Sequence, residues 1–174
     1  MMAPKKILEK SEFEVLTIDK NKGIGLTLIK GVEYCIENSF DVLTVIHGGN
    51  KMDTKDFEKI LKPILLDDYD CTWGSRFINN SAYNMPEFRK VTGKMLSRLV
   101  SSFYGTKVTD ATNGFRVFRR EILENPKLNL WQDWLLQYEL EPYLLIQTCR
   151  GEYKVGETPV TKRYHNDMSD NTKM

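Results

Sequence analysis

Three loops in this chain carry residues that could bind a charged ligand. Each is predicted to follow a strand, and they cover residues 21–25, 47–53 and 73–77. In the first loop, Asn21 and Gly23 precede a predicted helix, where glycine lets the backbone approach a ligand and a helix N-terminus favours phosphate. A tight turn that caps the helix explains the same residues, and it is the better interpretation of this motif taken alone.

Two arginines are the clearest candidates for binding an anion. Arg76 lies in the third loop, after a glycine that is predicted to end a strand, and Arg89 follows a polar loop further along the chain. A guanidinium group is planar, forked and permanently charged, so it can donate two parallel hydrogen bonds to a diphosphate. The two arginines therefore predict an anionic ligand.

Apolar runs and helical patterns alternate along the chain. The predicted strands cover 14–18, 41–46, 70–74, 115–118 and 153–160, and the predicted helices cover 24–38, a stretch from Thr54, 87–104 and 130–147. This alternation is typical of an α/β fold with a mostly parallel sheet flanked by helices, in which the apolar run 41–46 would be buried on both faces. Such sheets bind ligands beyond the carboxyl ends of their strands, so the three loops should meet at one edge.

Composition narrows the functional class. The chain has 174 residues, 25 of them basic and 24 acidic, which suits one globular domain and gives no global electrostatic case for nucleic acid or a membrane surface as the main partner. Its three cysteines are far apart and lack C-x-x-C spacing, which favours reduced thiols. The start has no secretory pattern and no run reaches about 18 apolar residues, so we expect a cytoplasmic protein, peripheral at most to the cytoplasmic face of a membrane.

The order of the motifs resembles that of a known family. G-S-R-F at Gly74–Phe77 is followed by M-P-x-x-R ending at Arg89, D-x-T-x-G-F-R-x-F-R-R from Asp110, an aromatic-x-x-E motif ending at Glu141, and E-x-P-V from Glu157. This series resembles the family 2 glycosyltransferases of the GT-A fold, and within them the dolichol-phosphate mannose synthases and polyprenyl-phosphate sugar transferases. The resemblance implies transfer of a sugar, with inversion, from a nucleotide-diphosphate sugar to a polyprenyl phosphate or glycan. The alternative is a catalytically degenerate module that binds a nucleotide sugar or a phosphate.

The resemblance also implies roles for individual residues. It implies donor or phosphate binding by Asn21, Gly23, Lys51, Arg76 and Arg89, catalytic roles for Asp110 and Arg116, and an acceptor side formed by Thr112, Asn113 and Glu141. Cationic groups suit this chemistry because a departing nucleoside diphosphate and an attacking phosphate are both anionic. Simpler interpretations stay open, since Asp110 can cap a turn and Glu141 can be a buried pair partner.

The sequence departs from the family at the metal-binding motif. Relatives carry two carboxylates after the corresponding strand, and these hold Mg²⁺ or Mn²⁺ against the donor diphosphate. Here those positions are His47 and Gly49, and a following amide position is Lys51, so no metal site is predicted. We favour metal-independent catalysis, in which Lys51 and the two arginines supply the positive charge. The alternatives are a member that binds without turnover, or weak metal ligation by His47 and Asn50.

Other residues have structural interpretations. Phe115 and Phe118 alternate as core residues of a strand, and Trp131 and Trp134 read as packing residues on a predicted helix. The adjacent basic pair at 119–120 is interpreted as solvated charge at the start of a helix rather than as ligands.

The resemblance bounds the domain as well. We interpret residues 1–164 as a partial glycosyltransferase domain and residues 165–174 as a polar, flexible tail. The first strand of the family and its acidic base-binding turn would precede residue 1, so we expect the α/β domain to be incomplete at its N-terminus. Gly93 stands where the mannose synthases tend to carry a hydroxyl group.

Overall fold

The computed structural model describes residues 14–18, 22–49 and 51–164. The helices are α1 (Ile24–Glu37), α2 (Phe57–Leu66), α3 (Glu87–Tyr104), α4 (Arg120–Leu123) and α5 (Leu140–Arg150). The strands are β1 (Val42–Val45), β2 (Cys71–Ser75), β3 (Ala82–Tyr83), β4 (Arg116–Arg119), β5 (Val155–Pro159) and β6 (Lys162–Arg163). Short 3₁₀ turns cover Thr54–Asp56, Pro126–Leu128 and Asp133–Leu135.

Four strands form one mixed sheet in the order β1-β4-β2-β5. Strand β4 runs antiparallel to both of its neighbours and β2 is parallel to β5, so β1, β2 and β5 share one direction. Arg116 of β4 is the register partner of both Val45 in β1 and Trp73 in β2. The predicted α/β fold is confirmed, and the carboxyl ends of β1 and β2 lie at the same edge. A second small sheet pairs β3 with β6.

Apolar side chains pack on both faces of the larger sheet. Successive residues of β4 point to opposite faces, so Phe118 joins one core cluster and Val117 joins the other. The larger cluster includes buried residues of α1, α4 and α5, and the smaller one includes buried residues of α2. Phe115 and Phe118 are fully buried, which confirms their predicted place in the core. The three cysteines are buried and free, as predicted.

Local sequence explains where two of the helices begin or end. Helix α3 covers the predicted residues and ends at Gly105, whose φ of 68° lies in the left-handed region that glycine adopts easily. The predicted second helix starts as a 3₁₀ turn capped by Asp53, whose carboxylate accepts a hydrogen bond from the Lys55 N–H at 3.1 Å.

Three predicted elements differ from the structure. Residues 14–18 are not in a strand. The predicted helix over 130–147 starts too early, because α5 begins only at Leu140, and residues 140–147 are helical as predicted. Pro142 fits the first turn of α5, whereas in the interior of a longer helix it would remove a backbone hydrogen bond. Strand β1 is half-buried rather than buried on both faces, because it lies at the edge of the sheet formed by the described residues.

Candidate functional site

A cavity of about 920 Å³ opens at the carboxyl ends of β1 and β2. Its wall is formed by α1, by β1 and the loop after it, by α3, by the start of α5 and by β6. Of the predicted site residues, those in the wall are His47, Gly49, Lys51, Arg76, Arg89, Thr112 and Glu141. Those outside the wall are Gly23, Asp110, Asn113 and Arg116. Asn21 lies outside the described residues.

Arg76 is held in the cavity wall by a buried carboxylate. Its Nε donates to Oδ2 of Asp110 at 2.6 Å and its Nη2 donates to Oδ1 at 2.7 Å, with side chains that are 4% and 0% exposed. The guanidinium group also donates to the hydroxyls of Thr112, at 2.6 Å, and Tyr164. Burial opposes the charged form, but the Asp110 carboxylate outweighs this and raises the pKa of Arg76. The cavity therefore has a fixed positive charge in its wall.

Asp110 is positioned by a glutamate that sequence reasoning treated only as part of a motif. The Glu157 carboxylate accepts hydrogen bonds from the backbone N–H groups of Thr109, at 2.8 Å, and Asp110, at 3.2 Å. Burial raises the pKa of Glu157, although these N–H groups oppose the shift. Asp110 itself also accepts a hydrogen bond from the Arg76 N–H at 2.9 Å. Asp110 thus orients Arg76, and its catalytic role stays a prediction.

Arg116 lies behind the cavity wall. Its side chain donates to the backbone carbonyls of Asn113, Glu141 and Ala111 at 3.0, 2.8 and 3.2 Å, respectively. It is 3% exposed, and burial lowers its pKa. A side chain buried in this way holds the loop before β4 against the start of α5. The structure thus gives Arg116 a positioning contact, and its catalytic role stays a prediction.

The predicted acceptor side is divided by the structure. Thr112 is exposed to the cavity and contacts Arg76. Asn113 is buried, and its Nδ2 donates to the Gly74 carbonyl at 2.8 Å. Asn113 therefore connects the loop to β2 and does not reach the cavity.

His47 and Glu141 form a pair across the cavity wall. His47 Nε2 lies 2.8 Å from Glu141 Oε1, joining the loop after β1 to α5. Burial opposes the ionised carboxylate, but the His47 hydrogen bond and the charge of Arg116 outweigh it and lower the pKa of Glu141. Gly114 makes the pair possible, because a Cβ atom there would lie 2.3 Å from His47 Nε2 and 2.9 Å from Glu141 Oε1. Their pairing was not apparent from positions 94 residues apart.

The glycines at the start of α1 are required by close packing. Gly23 has a φ of 115°, and a Cβ atom there would lie 2.3 Å from Oε1 of Gln137. A Cβ atom on Gly25 would lie 2.1 Å from the Leu135 carbonyl oxygen. These contacts favour the helix-cap interpretation of Gly23, and phosphate binding there stays a prediction. Gly25 does line the cavity.

Sequence comparison identifies relatives of this chain. No family model matches it. It is 29% identical over 147 residues to a UDP-N-acetylglucosamine–dolichyl-phosphate N-acetylglucosaminyltransferase of Methanococcus voltae, covering 84% of this chain and 57% of that protein. It is 31% identical over 100 residues to a dolichyl-phosphate hexose transferase of Haloferax volcanii, covering 58% and 41%. It is 22% identical over 140 residues to a polyprenol monophosphomannose synthase of Mycolicibacterium smegmatis, covering 80% and 52%.

The chain is related to family 2 glycosyltransferases. The predicted resemblance is confirmed, and the mixed sheet flanked by helices is consistent with a GT-A-like fold. The chain spans about half the length of the curated relatives that it matches.

The positions of the family's metal-binding carboxylates do not fit Mg²⁺ in this chain. Magnesium takes oxygen ligands in octahedral geometry, usually including carboxylates. Gly49 has no ligand atom in its side chain, and the imidazole of His47 is bonded to Glu141. Among residues 14–18, 22–49 and 51–164, no group of three His, Cys, Asp or Glu side chains could hold a metal ion. Asn50, the other weak candidate, falls outside those ranges.

Two further cationic side chains lie in the cavity wall. Arg89 projects from α3 and is exposed, so it is available to a ligand. Lys162 of β6 also lines the cavity, and sequence reasoning missed it. Its position could have suggested this role. Lys162 follows the E-x-P-V motif by two residues, and a side chain just beyond the end of a strand can reach a cavity at that edge of the sheet.

Several remaining predictions were made for residues near the site. Trp131 and Trp134 are about half exposed and lie outside the α-helices, so their predicted place on a helix is wrong. Trp134 does pack edge-on against Tyr143, with ring centroids 5.5 Å apart. Arg119 donates to the carbonyls of Tyr69 and Ile64 at 2.9 and 2.6 Å, so it joins β4 to α2 and is not a solvated charge. Gly93 lines the cavity, where a Cβ atom would lie 3.3 Å from Thr112 Oγ1.

Within the part of the chain that the structure describes, no helix has the length and apolarity needed to span a bilayer.

Proposed function

We propose that the protein containing this chain transfers a sugar from a nucleotide-diphosphate sugar to a polyprenyl phosphate, with inversion at the anomeric carbon. The observation that carries the proposal is the cavity at the strand ends, with Arg76, Arg89 and Lys162 in its wall. Three relatives are named as dolichyl-phosphate or polyprenol-phosphate glycosyltransferases, which supports the same acceptor class.

The proposed reaction requires charge stabilisation more than proton transfer. An oxygen of the acceptor phosphate attacks the anomeric carbon, and the bond from that carbon to the diphosphate oxygen breaks. The nucleoside diphosphate leaves with the bonding electron pair. Because a phosphate monoester is already ionised at neutral pH, no strong general base is needed. The fixed Arg76 and the exposed Arg89 supply positive charge that stabilises the charge growing on the leaving diphosphate or present on the acceptor.

Helix α3 supports a lipid acceptor. It places a row of exposed apolar side chains on one face, formed by Phe88, Val91, Met95, Leu99 and Phe103. Lysine and arginine residues flank this row on one side, at Lys90, Lys94 and Arg98. An apolar face with basic neighbours suits the surface of a bilayer that contains anionic lipids. Arg89 and Leu96 of the same helix line the cavity, so a polyprenyl chain could leave the cavity along this face.

We also propose that transfer is independent of a divalent ion. The support is that His47 and Gly49 offer no pair of carboxylates, while cations occupy the cavity wall. The test measures transfer of a radiolabelled sugar from nucleotide-sugar donors to a polyprenyl-phosphate extract, using the full protein in EDTA. Product should form at a rate that added Mn²⁺ does not change. Transfer that stops in EDTA and returns with Mn²⁺ would contradict metal independence.

A non-catalytic binding module is the second candidate. The observation that favours it is the replacement of both metal-binding positions by His47 and Gly49. The same assay separates the two candidates when it is run with equilibrium binding of the donor. Donor binding without any labelled lipid product, with and without Mn²⁺, would favour the module over the enzyme.

A further inference from the structure

Lys162 lies beside the loop that replaces the family's metal-binding segment. Met52 and Lys162 form an antiparallel β-bridge, and the Arg163 N–H donates to the Lys51 carbonyl at 2.8 Å. The Lys162 N–H donates to the Ser81 carbonyl at 3.0 Å on the other side. Strand β6 is thus fixed between two segments, and its lysine side chain lines the cavity.

The Lys162 ammonium has no carboxylate partner among the described residues. None of their carboxylate oxygens lies within 4.0 Å of its Nζ, and the nearest aromatic contact is the Tyr164 ring, with its centroid 5.8 Å away. The two acidic groups that act on it electrostatically, Asp110 and Glu141, are bonded to Arg76 and His47 instead. A cation whose neighbouring carboxylates are already engaged is available to an anionic ligand.

We propose that Lys162 binds the diphosphate of the donor and supplies positive charge beside the loop after β1. The inference rests on the proposed function, since it assigns a residue to the donor side of that site. Lysine suits this task because its ammonium is a compact point charge with three donors on a flexible stem. Arg76 adds a second positive charge nearby, fixed by Asp110.

The environment of Lys162 makes its charge sensitive to pH. Burial lowers its pKa to about 8, and the positive charges of Arg76 and Lys51 act in the same direction. The charges of Asp110 and Glu141 act in the opposite direction. The ammonium is therefore protonated below about pH 8 and loses its charge as the pH rises through that value. Diphosphate affinity should weaken over the same range.

The test is calorimetric binding of UDP and GDP to the full protein in EDTA. Wild type should bind one of them, and Lys162→Met should bind it at least about tenfold more weakly, as expected for a lost charge-assisted hydrogen bond. Lys162→Arg keeps the charge and should remain within about threefold of wild type. The matched control is Arg163→Gln, which removes a cation from the next position of β6, where the side chain is exposed and stacks near Tyr83. Its affinity should equal that of wild type.

The pH dependence of nucleotide binding gives a second test of the inference. Affinity of wild type should fall between pH 7.5 and 9.5, and this fall should be missing in Lys162→Arg, because a guanidinium group keeps its proton there. Equal affinity of Lys162→Met and wild type rejects the role of Lys162 and leaves the proposed sugar transfer standing. Binding that requires Mg²⁺ rejects both the role of Lys162 and the proposed metal independence, and leaves sugar transfer itself standing. If wild type binds neither nucleotide with or without Mg²⁺, both proposals fail.

Discussion

The Arg76 guanidinium and the Asp110 carboxylate are joined by two side-chain hydrogen bonds of 2.6 and 2.7 Å, and both residues are almost fully buried. This pair connects the end of β2 to the loop before β4. The pair places the charged Arg76 guanidinium in the wall of the cavity. Most N–H donors of that guanidinium are already bonded to other side chains of the protein. Arg76 is therefore a source of fixed charge, and Arg89 and Lys162 are the side chains better placed to move onto a ligand.

Removal of the Asp110 carboxylate should be strongly destabilising. Asp110→Ala leaves a buried guanidinium group without its counter-charge, so the free energy of unfolding should fall by about 3–5 kcal/mol. The control is Asp68→Asn, which removes the charge of a carboxylate that is 96% exposed and 3.6 Å from Arg119, and keeps a side chain that tolerates the φ of 56° at this position. It should change stability by less than about 0.5 kcal/mol. Urea denaturation of both variants measures the difference, and similar losses in the two would contradict the proposed role of the buried pair.

Arg89 should contribute to ligand binding and not to stability. It is exposed and lines the cavity, so Arg89→Ala should leave the thermal midpoint unchanged. Loss of a charge-assisted hydrogen bond to phosphate should weaken donor or acceptor engagement at least about tenfold. Arg150→Ala, at the exposed end of α5, serves as the matched control in steady-state transfer assays. Unchanged kinetics in Arg89→Ala would exclude the assigned role.

Gly114 should not tolerate a side chain. A Cβ atom there would overlap His47 Nε2, so Gly114→Ala must separate His47 from Glu141 and should lower the free energy of unfolding by about 1–3 kcal/mol. Gly31→Ala is the control, because a Cβ atom in that position of α1 meets nothing within 4 Å. Alanine there should be neutral or stabilise by up to about 1 kcal/mol. Chemical denaturation would contradict the packing argument if the two variants had the same stability.

Glu141 should make stability sensitive to acid. Its pKa is lower in the folded protein than the ordinary value of 4.5, so its contribution is present above pH 4.5 and is lost as the pH falls through the folded pKa. In Glu141→Gln, the part of the decrease in the free energy of unfolding at acid pH that comes from this carboxylate should be missing. Glu139→Gln, two residues earlier and exposed, should retain it. Denaturation series between pH 6 and 3 distinguish the variants, and parallel curves for all three proteins would contradict the linkage.

The apolar face of α3 should bind anionic bilayers. Met95→Glu puts a carboxylate in the middle of that face, so binding to vesicles with phosphatidylglycerol should weaken at least about tenfold. Leu66→Glu changes an equally exposed apolar residue of α2, outside the face. It should bind as wild type does in co-sedimentation. Binding of wild type should also fall with added salt, because the basic flank is screened. Equal binding of the two variants would exclude α3 as the contact surface.

The sequence determined which loops approach the cavity more reliably than what each side chain does there. Arg76, Arg89 and Thr112 were identified from motif order, and each lines the cavity. Asp110 and Arg116 came from the same motif, yet they are not among the residues that line the cavity. Residues in one motif can form the site or hold the residues that form it, and spacing alone does not separate the two, because both need polar side chains near the strand ends.

Hydrophobic periodicity was sufficient for the α/β class, the extent of α3 and the buried phenylalanines, since these depend on local spacing and on apolar burial. The direction of β4, the His47–Glu141 pair and the place of Lys162 depend on segments that are far apart in the chain. Nothing local specifies which carboxylate neutralises which cation. Only tertiary packing does so, and by assigning Asp110 to Arg76 and Glu141 to His47 it leaves Lys162 facing the cavity.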